Sequence, residues 1–497
     1  MFFSDDSVFR ITEIKLSNIK NVTSGSIEFA ESCQLYKADD GEIDYRSLHD
    51  VLGIYGQNGS GKTAVIHTIS LLKDIVMGRS FFVDKKFNFF VKRNSALGYI
   101  NYTFLLIEKD TKYTLNYAIE LEPVLKDDQN NIGCQLKNET FRLEDITHHI
   151  KYPTISISAD SDDVNSLFSK DADFTAAKII SAKQNSNDFI NKVSALLASR
   201  QNDYQNHKSF LFDDNTLETL RESALESAKI LGEKIKKLKL QITYNIYCYD
   251  TNNDALTTIG LGTILGTAKV ENNEETITSG VFPIGINGPF EILTKHKKVY
   301  ANLVEQINIV VNGFIPGFHA EYREVGLPHL SSDGKDEVIA IEMVRTDKDL
   351  NLPIMSESNG VRKLINLSSA IICVFNNPSA FLVVDEFDSG VFENLLGQIL
   401  SVLDNSAKGQ ILFTSHNLRP LEVLNYKSIY FTTVNSENRY VKLHNVKTTN
   451  NVRDFYYRAL KVGGQSEELS DETEASQISA SLYKGGELFK KVIPYVR

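Results

Sequence analysis

Apolar and polar residues alternate through Phe9-Arg10-Ile11-Thr12-Glu13-Ile14-Lys15-Leu16, the period of a half-buried strand, and the alternation resumes at Ser26-Ile27-Glu28-Phe29. With a turn at Ser24-Gly25 between them, the spacing predicts a hairpin at a sheet edge. A wholly apolar run, Val51-Leu52-Gly53-Ile54-Tyr55, predicts a buried strand, and Ala64 to Asp74 the helix that follows it. Two more strands are expected at Tyr99 to Ile107 and Tyr113 to Leu121, turning at Lys109-Asp110.

Helical spacing takes over after Glu122. It predicts helices at Asp173 to Lys183 and Asp188 to Arg200. Leu217, Leu220, Ala224, Ala228, Leu231, Ile235 and Leu238 then form a three-four repeat behind Asp213-Asp214-Asn215. That repeat predicts one helix of about 22 residues, roughly 33 Å long. Strand-like sequence at Ile242 to Tyr249 and a helix from Phe290 to Val311 follow. No heptad pattern is sustained, which excludes a long coiled-coil arm.

Further on, Val338 to Val344 predicts a strand. Phe381-Leu382-Val383-Val384 and Gln410-Ile411-Leu412-Phe413 have the form of buried parallel strands, and Ser428 to Thr433 predicts another. The expected organisation is an α/β protein with an N-terminal lobe at 1–121, a mainly helical insertion at 122–330 for dimerisation or effector coupling, a C-terminal lobe at 331–450 and a tail at 451–497. Within the tail, Ser466 to Glu474 is acidic and reads as a solvated surface segment with a short helix after it.

Composition narrows the classes. At 497 residues, 42% hydrophobic, 24% charged and with only 10 prolines, the chain is of ordered globular type with more than one lobe. No apolar run is long enough to cross a bilayer, and the acidic start, Ser4-Asp5-Asp6, is unlike a secretory signal, so a cytoplasmic protein without membrane partners is expected. Cys33, Cys134, Cys248 and Cys373 are scattered as isolated reduced thiols. A net charge of −11 restricts any nucleic-acid contact to a local basic stripe.

Chemistry enters with Gly56-Gln57-Asn58-Gly59-Ser60-Gly61-Lys62-Thr63, a complete phosphate-binding loop between a predicted strand and a predicted helix. Its glycines let successive N–H groups, including those of Asn58, Gly59, Ser60 and Gly61, face a phosphate. Lys62 reaches the β and γ oxygens, and Thr63 places a hydroxyl on Mg²⁺. Asp385 and Glu386 end an apolar strand: Asp385 is expected to hold Mg²⁺ through water, and Glu386 to act as general base on the attacking water. His416 ends the next apolar strand, within reach of the γ-phosphate or that water. Ser358-Asn359-Gly360 has the form of a helix N-cap whose free N–H groups suit a γ-phosphate.

Leu16-Ser17-Asn18-Ile19-Lys20 before the loop, Ser358-Asn359-Gly360-Val361-Arg362-Lys363, Asp385-Glu386-Phe387-Asp388-Ser389-Gly390 and Thr414-Ser415-His416-Asn417 together resemble the ABC-class ATPases of the OLD and RecF group. Asn451-Val452-Arg453-Asp454-Phe455-Tyr456 is similar to a segment that follows the His motif in OLD proteins. The resemblance covers the two ATPase segments and implies an ABC-type ATPase head that binds and hydrolyses ATP with Mg²⁺. It also implies a homodimer or higher homo-oligomer, in which signature residues Ser358 and Gly360 act on the opposite subunit. The chain is similar to the stand-alone ATPases of anti-phage systems, PARIS-like and Septu-like, which work with a separate effector. OLD proteins carry a Toprim nuclease after the ATPase. Too few residues follow His416 here for that domain, so a nuclease partner in trans is expected.

The alternative is a RecF-like DNA-binding repair ATPase, with Lys229, Lys234, Lys236, Lys237 and Lys239 along a DNA path. Glu222, Glu226 and Glu233 share that helix, which favours a solvated face. A transporter subunit is the third reading, and the long insertion between loop and signature is unlike that class.

Overall fold

The computed structural model describes residues 7–29, 36–37, 43–44, 50–82, 84–126, 131–159, 167–169, 174–180, 186–250, 262–264, 269–270, 277–278, 282–346, 351–443, 451–462, 465–469 and 475–492. Cys33, Asp173, Lys183 and Ser470 to Glu474, named above, lie outside the described residues.

The chain opens with a hairpin of β1 (Val8–Ile19) and β2 (Val22–Glu28). Its turn is Lys20-Asn21, not Ser24-Gly25: Lys20 takes φ 51°, and Gly25 sits inside β2 opposite Leu16. Packing demands that glycine, since a Cβ there would lie 2.5 Å from the Tyr440 ring. The fully buried β3 (Val51–Tyr55) feeds the glycine-rich loop and α1 (Lys62–Val76).

A meander follows: β4 (Gly98–Glu108), β5 (Thr111–Lys126), β6 (Asn131–Asp145) and, after a short strand, β7 (Ile155–Ser158). These join the hairpin in one antiparallel sheet of order β7-β6-β5-β4-β1-β2. The expected lobe boundary at 121/122 therefore falls inside β5, whose pairing with β6 runs from Tyr113 to Lys126. Leu121, Leu136 and Phe141 share one core with Ile14 and Ile100, and that shared core carries the sheet past the boundary.

After a short helix at Ala176–Ile180, within the stretch expected to be helical from Asp173 to Lys183, the helical block comprises α2 (Ser186–Gln205), α3 (Asp214–Arg221) and α4 (Glu226–Asn245). The single helix expected from Leu217 to Leu238 is thus two. Asp213 caps α3 through Asn215 N and Thr216 N, and the chain reverses at Glu222 to Leu225, where Ser223 Oγ accepts from Leu225 N at 3.1 Å. Gly232 makes the reversal compact, because a Cβ there would lie 2.8 Å from Leu220 Cβ. Both halves bury a three-four stripe, so periodicity alone does not register the break.

Glu139, fully buried on β6, ties this block to the sheet. Its carboxylate accepts from Tyr117 Oη (2.7 Å), Tyr204 Oη (3.0 Å), Phe210 N (3.2 Å) and Ser209 Oγ. Burial pushes its pKa up, and these four donors pull against that. Glu139→Ala is expected to cost about 3 kcal/mol or more, since each stranded buried donor costs about 1–3 kcal/mol. The check is the urea midpoint, which should fall without loss of the wild-type circular-dichroism signal before the transition.

Beyond the block, β8 (Ile246–Tyr249) continues directly from α4, so the strand expected at Ile242 starts four residues later. The helix expected at Phe290 divides into β9 (Phe290–Leu293) and α5 (Lys297–Phe314). With β10 (Ala320–Glu324) and β11 (Glu337–Arg345), β9 forms a small sheet of order β9-β11-β10, on which α5 packs through Leu303 and Ile307.

The C-terminal part comprises α6 (Asn359–Asn376), β12 (Phe381–Val384), α7 (Glu393–Ser406), β13 (Gln410–Thr414), β14 (Ile429–Thr432), β15 (Tyr440–Val441), α8 (Val452–Val462) and α9 (Ala475–Val492). The second sheet has order β8-β12-β13-β3-β14-β15 and is parallel except for its last pair. One face packs α1, and the other packs α6, α7 and α8. The tail segment at 466–469 is docked rather than solvated throughout: Val434 N donates to Glu468 O at 2.8 Å, and Leu469 is buried. Among the described residues no helix is long and apolar enough to cross a membrane. Cys134 and Cys248 are buried thiols, and Cys373 is a partly buried one.

Candidate active site

Parallel strands deliver their C-terminal ends to one edge of a sheet. Here β12, β13 and β3 are neighbours in that sense, so Asp385-Glu386, Ser415-His416 and the loop at Gly56 meet on one edge.

Gly56, Gly59 and Gly61 take φ of 156°, 74° and 101°, the backbone freedom a cradle of inward N–H groups needs. A Cβ on Gly56 would lie 1.6 Å from Thr432 Oγ1. Strand β14 therefore braces the loop: the Thr432 hydroxyl lies 2.6 Å from Ser60 Oγ, which donates to Gln57 O at 2.6 Å. Tyr440 Oη holds the far side by donating to Gly61 O at 2.7 Å, and the Asn21 amide donates to Gly59 O. Asn58 and Gly59 form the exposed crest, and Thr63 is half-buried at the second position of α1.

Lys62 Nζ donates to Gly56 O (2.7 Å) and Gln57 O (2.9 Å), folded into the loop it belongs to. Burial lowers its pKa, while Asp385, Glu386 and Asp388 pull it back up. An ammonium held on two loop carbonyls, under the charge of three carboxyls, fits a phosphate with a hard divalent cation beside it.

Asp385 is buried at the end of β12, with its N–H on Tyr249 O at 2.8 Å and the Thr414 hydroxyl donating to its carboxylate. Glu386 has φ 47°, a left-handed conformation that costs a non-glycine residue about 1–3 kcal/mol. It is held there by Thr414 Oγ1, which accepts from Glu386 N at 2.7 Å, and by Lys363, whose ammonium donates to Glu386 O. His416 is exposed. Its N–H and that of Asn417 donate to Asp388 at 3.1 and 3.0 Å, joining the two strand ends.

Ser358 is the N-cap of α6, accepting from Val361 N at 3.4 Å, and both Ser358 and Asn359 are exposed. Gly360 is buried against the turn after β12. The start of α6 and the end of β12 enclose a cavity of about 330 Å³, lined by Asp250, Asn359, Arg362, Lys363, Asp385 and Glu386.

Asp250, Lys363 and the pair Lys20–His67 were not among the sequence-based site residues. Asp250 follows β8, the strand beside β12, and takes His67 Nε2 at 2.8 Å, while Lys20 Nζ donates to His67 Nδ1. Burial lowers Lys20 to about 8 against the pull of Asp250 and Asp385. The sequence carried a signal for Asp250: Tyr247-Cys248-Tyr249-Asp250 is an apolar strand ending in a carboxylate, the same pattern as Val383-Val384-Asp385.

The five lysines of the alternative DNA path lie on α4. Lys237 and Lys234 pair with Glu108, Lys239 with Asp214 at 2.7 Å and Lys229 with Glu226 at 3.5 Å. Most of their charge is thus answered within the chain.

A family model described as "AAA domain, putative AbiEii toxin, Type IV TA system" matches residues 51–422, from the first residue of β3 to beyond His416. The chain belongs to this family. It is an α/β protein with an AAA-type ATPase domain. The family match leaves out the β1–β2 hairpin, β14 and β15, yet Asn21 in the hairpin's turn, Thr432 on β14 and Tyr440 on β15 brace the phosphate loop. No curated protein matches the chain. Among solved structures it is similar to the SMC head domain from Thermotoga maritima, at 12% identity and TM-score 0.33 over 88% of this chain and 99% of that one. It is also similar to the Smc head domain with a coiled coil and joint from Pyrococcus yayanosii, at 10% identity and TM-score 0.38 over 91% and 100%. A third is the Pyrococcus furiosus Smc head domain bound to the C-terminal domain of ScpA, at 12% and 0.36 over 87% and 96%.

Proposed function

We propose that the chain binds Mg-ATP at residues 56–63 and hydrolyses it within an assembly of at least two copies. One observation carries this reading: the phosphate loop, Asp385-Glu386 and His416 share one sheet edge, with a capped helix N-terminus opening beside them. Lys62 leaves Gly56 O and Gln57 O for the phosphate oxygens. Thr63 would place its hydroxyl on Mg²⁺ and Asp385 would hold the ion through water, and the ion when bound would neutralise charge on the phosphates. Glu386, one residue past the metal ligand, orients and deprotonates the attacking water, and His416 hydrogen-bonds the same region. Ser358 and Gly360 present α6 N–H groups to the nucleotide of a second copy.

The same reading makes this ATPase a cytoplasmic sensor or scaffold that controls an effector, a nuclease in trans, in anti-phage defence, with the helical block α2–α4 as the coupling surface. Its support is the resemblance to stand-alone defence ATPases; the family's description, "putative AbiEii toxin, Type IV TA system", names a toxin–antitoxin context and no nuclease. Native mass spectrometry of tagged Glu386→Gln protein from its host, with and without Mg-ATP, tests it. The expected result is an ATP-dependent dimer or larger assembly carrying a second protein. A monomer indifferent to ATP would sink the composite site.

A further inference from the structure

Helix α6 touches the turn after β12 at two points. In its first turn, Gly360 packs on Gly390: a Cβ on Gly360 would lie 1.9 Å from Gly390 O, and Gly390 itself takes φ 75°. No other residue type fits that approach without moving α6. One turn on, Lys363 reaches along the cavity wall and donates to Glu386 O. Its ammonium ends on a main-chain carbonyl, although Asp388, Glu386 and Asp385 are near enough to offset part of the burial that lowers it to about 8.

The turn is anchored on its other side to β13, through Glu386 N on Thr414 Oγ1 and through Asp388 on the N–H groups of His416 and Asn417. The left-handed Glu386 peptide is therefore held between a strand that belongs to the sheet and a helix whose exposed end faces outward. A peptide in a costly conformation persists only while its neighbours enforce it. Within the turn, Glu386 O also accepts from Ser389 N at 2.9 Å, and of the two restraints that reach Glu386 from outside the turn, Thr414 and Lys363, only Lys363 comes from an element whose N-terminus is open to a ligand.

We propose that Lys363 is a positioning residue that links the start of α6 to Glu386 of the same chain, so that a phosphate of the second copy docking on the exposed start of α6, at Ser358 and Asn359, sets the aim of the Glu386 carboxylate. Turnover at one nucleotide then waits for the other, and hydrolysis is cooperative in ATP. This rests on the composite-site reading above.

The test compares full-length Lys363→Met, which keeps the stem and loses the donor, with Lys363→Arg, which keeps a donor. The measurements are ATP affinity by equilibrium binding, kcat, the Hill coefficient for ATP and the thermal midpoint. In the Met variant kcat should fall on the order of ten- to hundredfold, the loss expected from a misplaced catalytic group, with affinity within about twofold of wild type. Its Hill coefficient should drop toward 1, and Arg should restore both kcat and cooperativity. Wild-type kcat and cooperativity in the Met variant would overturn the proposal. So would an equal loss of affinity or a large drop in midpoint, since either makes Lys363 a packing residue. Failure of the underlying reading is separable: Glu386→Gln protein would then stay monomeric with or without Mg-ATP, whatever Lys363→Met does.

Discussion

Glu386→Gln is expected to lower ATP turnover by about two to four orders of magnitude, the usual contribution of a positioned general base. Nucleotide binding should survive, because the loop, Lys62, Thr63 and Asp385 are untouched. The amide has nearly the shape of the carboxylate, and the peptide stays held by Thr414 and Lys363 through main-chain atoms alone. Single-turnover hydrolysis against equilibrium binding separates the two effects. A variant that hydrolyses at the wild-type rate would move the base elsewhere, and Asp250, on the same cavity wall, would be next to examine.

The second large effect is Lys62→Ala. In the structure Lys62 already satisfies Gly56 O and Gln57 O, so its loss strands loop carbonyls as well as removing the phosphate contact. One charge-assisted hydrogen bond is worth about 1.5–3 kcal/mol, roughly ten- to more than hundredfold in affinity. ATP binding by isothermal titration should accordingly fall at least tenfold, beyond detection if both phosphates depend on this ammonium. Unchanged affinity would show that the loop binds through its N–H groups alone. Thr432→Ala offers a milder control, since it removes the brace on Ser60 from outside the loop and should weaken binding by a smaller factor.

Several elements were readable because their causes are local. Val51 to Tyr55 is apolar throughout and lies in a parallel sheet, where both faces are covered. Ser358 caps α6 because its own hydroxyl meets Val361 N three residues on. The phosphate loop needs glycines at positions of positive φ, and the motif states them. Where the reading of the chain went astray, the cause lay far off in sequence. Gly25 resembled a turn but makes room for Tyr440. The stripe from Leu217 to Leu238 read as one helix, yet Leu220 folds back on Gly232.

The sequence alone therefore determined the chemistry available to this protein: a phosphate cradle, two strand-end carboxylates, a strand-end histidine and a capped helix, each specified by residues within a few positions of one another. Tertiary structure decided how those parts are held. It placed Asp250 beside Asp385, tied Lys363 to Glu386, pressed Gly360 onto Gly390 and brought Tyr440 to Gly61. A pattern of nearest neighbours records what a segment can form, while the contacts that aim a side chain come from segments tens or hundreds of residues away. Only the packing of the sheets and helices brings those together.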